Sequence, residues 1–131
     1  MNARKAILII DEHPQRKTEL SSRLRMQGFT IDVATGGFHS IHLMEKNHYH
    51  LVLMIDDMAD LSTQETVSLI KTTALKKEID VPVMVMRSAG KELDADEIEY
   101  IKKENVSKIY AWHNEFRSIL RQITANLEQA A

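Results

Sequence analysis

Polar side chains stand directly after three apolar runs of this chain, and their residue types could carry chemistry. They are Asp11 and Glu12, Asp56 and Asp57, and Arg87 and Ser88. Neighbouring carboxylates such as Asp11 and Glu12 repel each other unless a metal cation or an arginine lies between them. Magnesium in proteins takes oxygen ligands of this kind. The acidic pair therefore indicates either a divalent cation or an internal basic partner.

The apolar runs before these residues have the pattern of buried strands. Ala6 to Ile10, Leu51 to Ile55 and Val81 to Met86 are almost continuously apolar. Such runs are typical of parallel sheets, whose strands are covered on both faces. Lys108 to Trp112 is a shorter and more mixed candidate, and Thr30 to Ala34 is the weakest of the set.

Stretches with helical periodicity alternate with the apolar runs. We expect them after Pro14 and over Phe38 to Lys46, Thr63 to Thr73, Asp94 to Glu104 and from Phe116 onward. Strands that alternate with helices imply βαβ units with right-handed crossovers. The sequence therefore predicts an α/β fold, a doubly wound five-stranded parallel sheet with helices on both faces. In this architecture ligands bind beyond the carboxyl ends of the strands, where the polar residues stand.

Composition and charge narrow the function classes. The 131 residues suit one domain over 1–131, with 44% hydrophobic and 27% charged residues. The net charge of −2, without clusters of lysine and arginine, argues against nucleic-acid binding. The absence of cysteine excludes disulfides and thiolate chemistry. The first apolar run is too short for a signal peptide or a membrane span, so we expect a cytoplasmic protein without a membrane partner.

Several segments together resemble response-regulator receiver domains of the CheY-like type. The resemblance lies in Ile7 to Glu12, Gly28-Phe29, Val33 to Gly37, His50 to Met54 and Pro82 to Met86. It covers nearly the whole chain and includes the final helix. In that family, the acidic pair after the first strand holds magnesium, and an aspartate at the end of the third strand accepts a phosphoryl group.

The phosphate-accepting aspartate of this family is missing from its expected place. The family has a methionine three residues after the acceptor, followed by proline, and Met58 and Ala59 fit those places. This register puts Ile55 at the acceptor position, and isoleucine has no lone pair with which to attack phosphorus. Asp56 follows at once, but a step of one residue along a strand points its side chain to the opposite face. A bulge would be needed to turn Asp56 into the pocket.

Two further family residues are replaced. Arg87 stands where receivers have a hydroxyl residue that contacts the phosphate, with Ser88 next, and Trp112-His113 stand where they have lysine and proline. Arg87 is then either an exposed side chain or an internal counter-ion. On the second hypothesis its guanidinium pairs with one of three carboxylates. These are Asp11, Glu12 and Asp57.

The sequence favours a non-enzymatic pseudo-receiver that binds other signalling proteins and is not phosphorylated. Tyr110, Trp112 and His113 are its candidate interface residues, because large aromatic side chains often anchor protein contacts. The alternative is an atypical phosphoacceptor that uses Asp56 or Asp57, with magnesium held by Asp11 and Glu12. Weak magnesium binding by that pair, and a homodimer through the last strand and its flanking helices, both stay open.

Overall fold

The computed structural model describes residues 4–103, 108–112 and 115–130. Its strands are β1 (Ala6–Ile10), β2 (Thr30–Ala34), β3 (Leu51–Ile55), β4 (Val83–Arg87) and β5 (Lys108–Ala111). Its helices are α1 (Pro14–Met26), α2 (Gly37–Lys46), α3 (Thr63–Lys76), α4 (Ala95–Lys103) and α5 (Phe116–Ala130). The strands form one parallel sheet in the order β2-β1-β3-β4-β5. The predicted doubly wound α/β fold is confirmed.

The sheet separates two hydrophobic clusters because successive strand residues point to opposite faces. On one face, Leu8, Val52 and Met54 pack with Val67 and Ile70 of α3. On the other, residues of the same strands pack with α1 and α5. They include Ile7, Ile9, Leu53, Ile55, Leu24, Ile119 and Ile123. β1, β3 and β4 are buried almost throughout, which explains their unbroken apolar sequence.

Some element boundaries differ from those predicted. β4 starts at Val83 and includes Arg87, whose carbonyl accepts a hydrogen bond from the amide of Trp112 at 2.8 Å. Because Arg87 pairs with β5, strand β4 extends one residue beyond the end of its apolar run. α3 starts at Thr63 behind a capping box formed by Ser62 and Glu65, and it continues to Lys76.

Candidate functional site

The carboxyl ends of β1, β3 and β4 meet at a polar site whose centre is Arg16. Asp11 follows β1 and is fully buried. Both of its oxygens accept from Arg16, from Nε at 2.7 Å and from Nη2 at 2.7 Å. Arg16 lies in the first turns of α1, which begins at Pro14 with His13 as its N-cap. The hydrogen bonds to Asp11 raise the pKa of Arg16 although its partial burial opposes this. The guanidinium thus stays charged and neutralises a buried carboxylate.

Asp56 also points into this site, so the expectation that it faces away from the pocket is wrong. Its backbone has a φ of 61°, in the left-handed region, directly after β3 ends. The alternation of side chains applies only to extended backbone, and this one residue turns the carboxylate inward without a bulge. Ile55, assigned to the acceptor position, instead packs in the cluster beneath α1 and α5. The carboxylate of the pocket is that of Asp56, which is only 3% exposed.

Ser88 and Arg16 hold the inward carboxylate. Asp56 accepts from the backbone amide of Ser88 at 2.8 Å and from its hydroxyl at 2.6 Å. The Nη2 group of Arg16 lies 3.4 Å from Asp56 Oδ2, and its Nη1 donates to Ser88 Oγ at 3.2 Å. Burial tends to raise the pKa of Asp56, but the Ser88 hydrogen bonds and the charges of Arg16 and Lys91 outweigh it and leave the pKa below its ordinary value. Asp56 is therefore ionised at neutral pH.

Asp11 and Glu12 have different partners in this structure. Glu12 is exposed, and its carboxylate accepts from the backbone amide of Ala59 in the β3–α3 loop. Both oxygens of Asp11 are engaged by Arg16. No group of three or more His, Cys, Asp or Glu side chains is placed to hold a metal ion within the described part of the chain. The residues at this site do not fit the magnesium ion that receiver domains bind, because a guanidinium already lies between the carboxylates.

A second buried arginine lies beside the first site. Arg87 is 6% exposed, and its Nη1 donates to Thr63 Oγ1 at 2.7 Å while its Nε donates to the carbonyl of Lys91 at 2.7 Å. Its Nη2 lies 3.2 Å from Asp57 Oδ2, so Arg87 is an internal counter-ion paired with one of the three carboxylates considered. Burial tends to raise the pKa of Asp57. The hydrogen bonds from Thr63 and the charge of Arg87 outweigh this effect, so the pKa lies below its ordinary value. Arg87 joins β4, the β4–α4 loop, the β3–α3 loop and α3.

The aromatic candidates take different positions. The Arg16 guanidinium carbon lies 5.2 Å from the centroid of the Trp112 ring. Trp112 lines a cleft of about 290 Å³ between α1 and α5, together with Arg23 and Phe116. Tyr110 instead packs against α5, where its hydroxyl accepts from Asn126 Nδ2 at 3.2 Å. The third candidate, His113, lies outside the described residues.

Sequence reasoning missed the central role of Arg16. The available signal was its spacing, since the first turns of a helix that follows β1 face back toward the carboxyl end of that strand. The need for a basic partner of the acidic pair was recognised, but the partner was sought only in Arg87. The role of Thr63 as a partner of Asp57 and Arg87 was also missed, because the sequence indicated only that a helix begins at Thr63.

Solved structures share this fold at low sequence identity. A CheY-like response regulator receiver domain protein from Methanospirillum hungatei superimposes with a TM-score of 0.82 at 15% identity, over 98% of this chain and 97% of that one. The receiver domain of the sensor histidine kinase PA1611 from Pseudomonas aeruginosa gives 0.78 at 17% identity, over 96% and 99%. That structure has magnesium coordinated in its active site cleft. The beryllofluoride-activated NtrC4 receiver domain dimer gives 0.76 at 15% identity, over 96% and 98%.

Curated proteins match parts of the chain. The sensor protein EvgS of Escherichia coli is 32% identical over 56 residues, which are 43% of this chain and 5% of EvgS. The CpxR homolog of Haemophilus influenzae, a transcriptional regulatory protein, is 28% identical over 88 residues, which are 67% of this chain and 36% of that protein. The matched stretches thus span about a third or less of these relatives. No protein-family model matches.

The chain therefore has the fold of CheY-like receiver domains. Its pocket contains two internal arginines, Arg16 and Arg87. In the part of the chain that is described, no helix has both the length and the apolar character needed to cross a bilayer.

Proposed function

We propose that this chain is a pseudo-receiver, a protein-binding module of bacterial signal transduction that works without phosphorylation. The observation that carries the proposal is the position of Arg16. Its guanidinium binds Asp11 in a bidentate manner and also reaches Asp56. A fixed positive charge thus lies between the carboxylates where receivers bind magnesium.

Phosphoryl transfer requires a positioned nucleophile and cations that neutralise the charge spreading over the transferred oxygens. In this pocket both oxygens of Asp56 are bound, one by the amide of Ser88 and the other by its hydroxyl. The oxygen that attacks phosphorus has to do so with a lone pair that is not engaged by its donor, which weakens it as a nucleophile. Because Arg16 is held by the buried Asp11, its charge balances the resting carboxylates and is not free to follow a phosphoryl oxygen.

The alternative is an atypical phosphoacceptor, and one observation favours it. Asp56 is turned into the pocket beside the hydroxyl of Ser88. An inward aspartate with a neighbouring hydroxyl after the fourth strand is the arrangement that receivers use. This alternative requires Arg16 to leave Asp11 so that a divalent cation can enter. Asp57 is less suited to the role, because it is bound by Thr63 and Arg87.

Intact-mass spectrometry after incubation with acetyl phosphate and Mg²⁺ separates the two functions. The pseudo-receiver predicts no phosphoryl adduct on the wild-type chain, while a phosphorylated receiver domain run in parallel shows that the reagent is active. The alternative predicts an adduct that the Asp56→Asn variant loses and the Asp57→Asn variant keeps. An adduct with this pattern would remove the pseudo-receiver proposal.

The cleft beside Trp112 is the surface that we propose for contact with signalling partners. Tryptophan and arginine are enriched among residues that anchor interfaces. Arg23 lies over the Phe116 ring at 4.3 Å, so its guanidinium is held at the rim of the cleft. Sensor and regulatory proteins, the classes named for the curated relatives, are the partners that we expect in a cytoplasmic setting. A homodimer is a further possibility that light scattering of the purified chain will decide.

A further inference from the structure

A groove lies between α2, α3 and α4, on the face of the sheet opposite the cleft at Trp112. Its volume is about 310 Å³, and its apolar side chains are Phe38, Leu61, Leu69 and Tyr100. Phe38 is 62% exposed and Leu69 is 37% exposed, although both are large apolar residues. Exposed apolar side chains that line one common groove indicate a contact site for another molecule.

The exposure of Phe38 follows from how α2 begins. The Asp60 carboxylate accepts from the backbone amides of Gly37 at 2.8 Å and of Phe38 at 3.1 Å. Gly37 packs so closely on Leu61 that a Cβ atom there would lie 2.6 Å from the Leu61 side chain. These contacts fix the first turn of α2 against the β3–α3 loop and hold Phe38 outward beside Leu61. The groove is therefore formed before any partner binds.

Most of the charges around the groove are acidic. Glu65 is the charged residue among those that line it, and no lysine or arginine of the described residues does so. Asp60, next to Phe38, has a pKa below its ordinary value because the Gly37 and Phe38 amides donate to it, so it is anionic at neutral pH. On α4, Glu97 lies one helical turn before Tyr100, and Lys103 lies one turn after it and pairs with Glu99 at 3.9 Å. A symmetric dimer with the groove of one copy against the groove of the other would bring carboxylates against carboxylates.

We propose that this groove binds a basic amphipathic helix of a partner protein. The apolar residues of such a helix, three or four positions apart, would enter between Phe38 and Leu69. Its lysine or arginine side chains would face Glu65 and Asp60. The two grooves lie on opposite faces of the sheet, so this site is separate from the cleft at Trp112, and the proposal does not depend on the phosphorylation state of the pocket.

Nuclear magnetic resonance with synthetic peptides tests the proposal on the full chain. The first peptide is an Ala-rich helix of about 20 residues, longer than the roughly 12–15 residues below which isolated helices are marginal in water, with leucines four positions apart and lysines beside them. The second has glutamate in place of lysine, and the third has alanine in place of leucine. We expect saturable shifts at the amides around Phe38, Leu69 and Tyr100 with the first peptide. The other two should bind at least about tenfold more weakly, which corresponds to about 1.4 kcal/mol.

Matched variants distinguish binding in the groove from nonspecific binding of the peptide to other apolar side chains. Leu69→Ala should weaken binding of the first peptide about tenfold, since it removes a lining side chain. Leu75→Ala is the control, because Leu75 is on the same helix and 77% exposed but does not line the groove. Glu65→Gln keeps the capping-box hydrogen bond and removes only the charge. It should weaken binding severalfold, and Glu19→Gln on α1 should not.

Four results would overturn the proposal. The first is the absence of saturable shifts at millimolar peptide, and the second is equal binding by the Leu69→Ala and Leu75→Ala variants. The third is equal or tighter binding of the glutamate peptide, which would reverse the charge of the partner. Shifts at the same amides on changing the concentration of the chain alone would assign the groove to a second copy instead.

Discussion

Replacing Arg16 by glutamine tests the central feature of the pocket, the guanidinium between two buried carboxylates. Asp11 is fully buried and the Asp56 side chain is 4% exposed, so neither carboxylate is well solvated. Removing one partner of a buried ion pair typically destabilises a protein by about 3–5 kcal/mol. The Arg16 side chain is 15% exposed and is partly screened by water, so we expect about 3 kcal/mol at neutral pH.

Thermal unfolding followed by circular dichroism measures this loss. For a chain of this size, about 3 kcal/mol corresponds to a decrease in Tm of roughly 10 °C. Arg121→Gln is the matched control, since it removes an equal charge from an exposed position on a helix, α5. Its Tm should lie within about 2 °C of the wild type, as is usual for surface substitutions.

The pH dependence of the loss identifies its cause. Without Arg16, Asp56 loses one of the charges that lower its folded-state pKa, so its ionisation contributes less stability to the variant at neutral pH. This contribution is present above the ordinary pKa of about 4, so the Tm difference between wild type and Arg16→Gln should shrink as the pH falls below about 4. Millimolar Mg²⁺ should raise the Tm of the variant more than that of the wild type, because Asp11 loses the guanidinium that binds both of its oxygens. A loss of the same size at neutral pH and below about pH 4, or one no larger than that of Arg121→Gln, would refute the counter-ion argument.

Three further predictions concern stability. Arg87→Ala should lower the free energy of unfolding by about 3 kcal/mol, because it removes a buried guanidinium with three partners. Amide hydrogen exchange should become faster in the β4–α4 loop. An unchanged Tm would reject this role of Arg87. Because the folded-state pKa values of Asp56 and Asp57 are lowered, their ionisation stabilises the fold at pH values above their ordinary pKa of about 4. This stabilisation is lost as the pH falls through the lowered folded-state values. Urea unfolding of Asp56→Asn should therefore show a shallower decline below about pH 4 than the wild type. Ser62→Ala should cost about 1 kcal/mol in the same assay, because it removes the N-cap of α3, and a cost near zero would deny the capping box.

The sequence alone determined the fold. Its unbroken apolar runs at β1, β3 and β4 and the helical stretches between them allow few arrangements other than a parallel sheet covered on both faces. It also identified where polar side chains would gather, because the residues that follow parallel strands meet at one edge of the sheet. Even the weak candidate Thr30–Ala34 is a strand, since it pairs with β1 along its whole length.

Only the tertiary structure decided which side chains meet. The inward turn of Asp56 depends on one residue in the left-handed region, and neither strand alternation nor alignment with a family pattern predicts it. Asp11 and Glu12 are adjacent in the sequence but have different partners. Asp11 is bound by Arg16 on α1, and Glu12 is bound by the Ala59 amide, which is distant in the sequence. Hydrophobic periodicity reports burial, whereas the pairing of charges depends on distances between elements, which appear only once the helices are packed on the sheet.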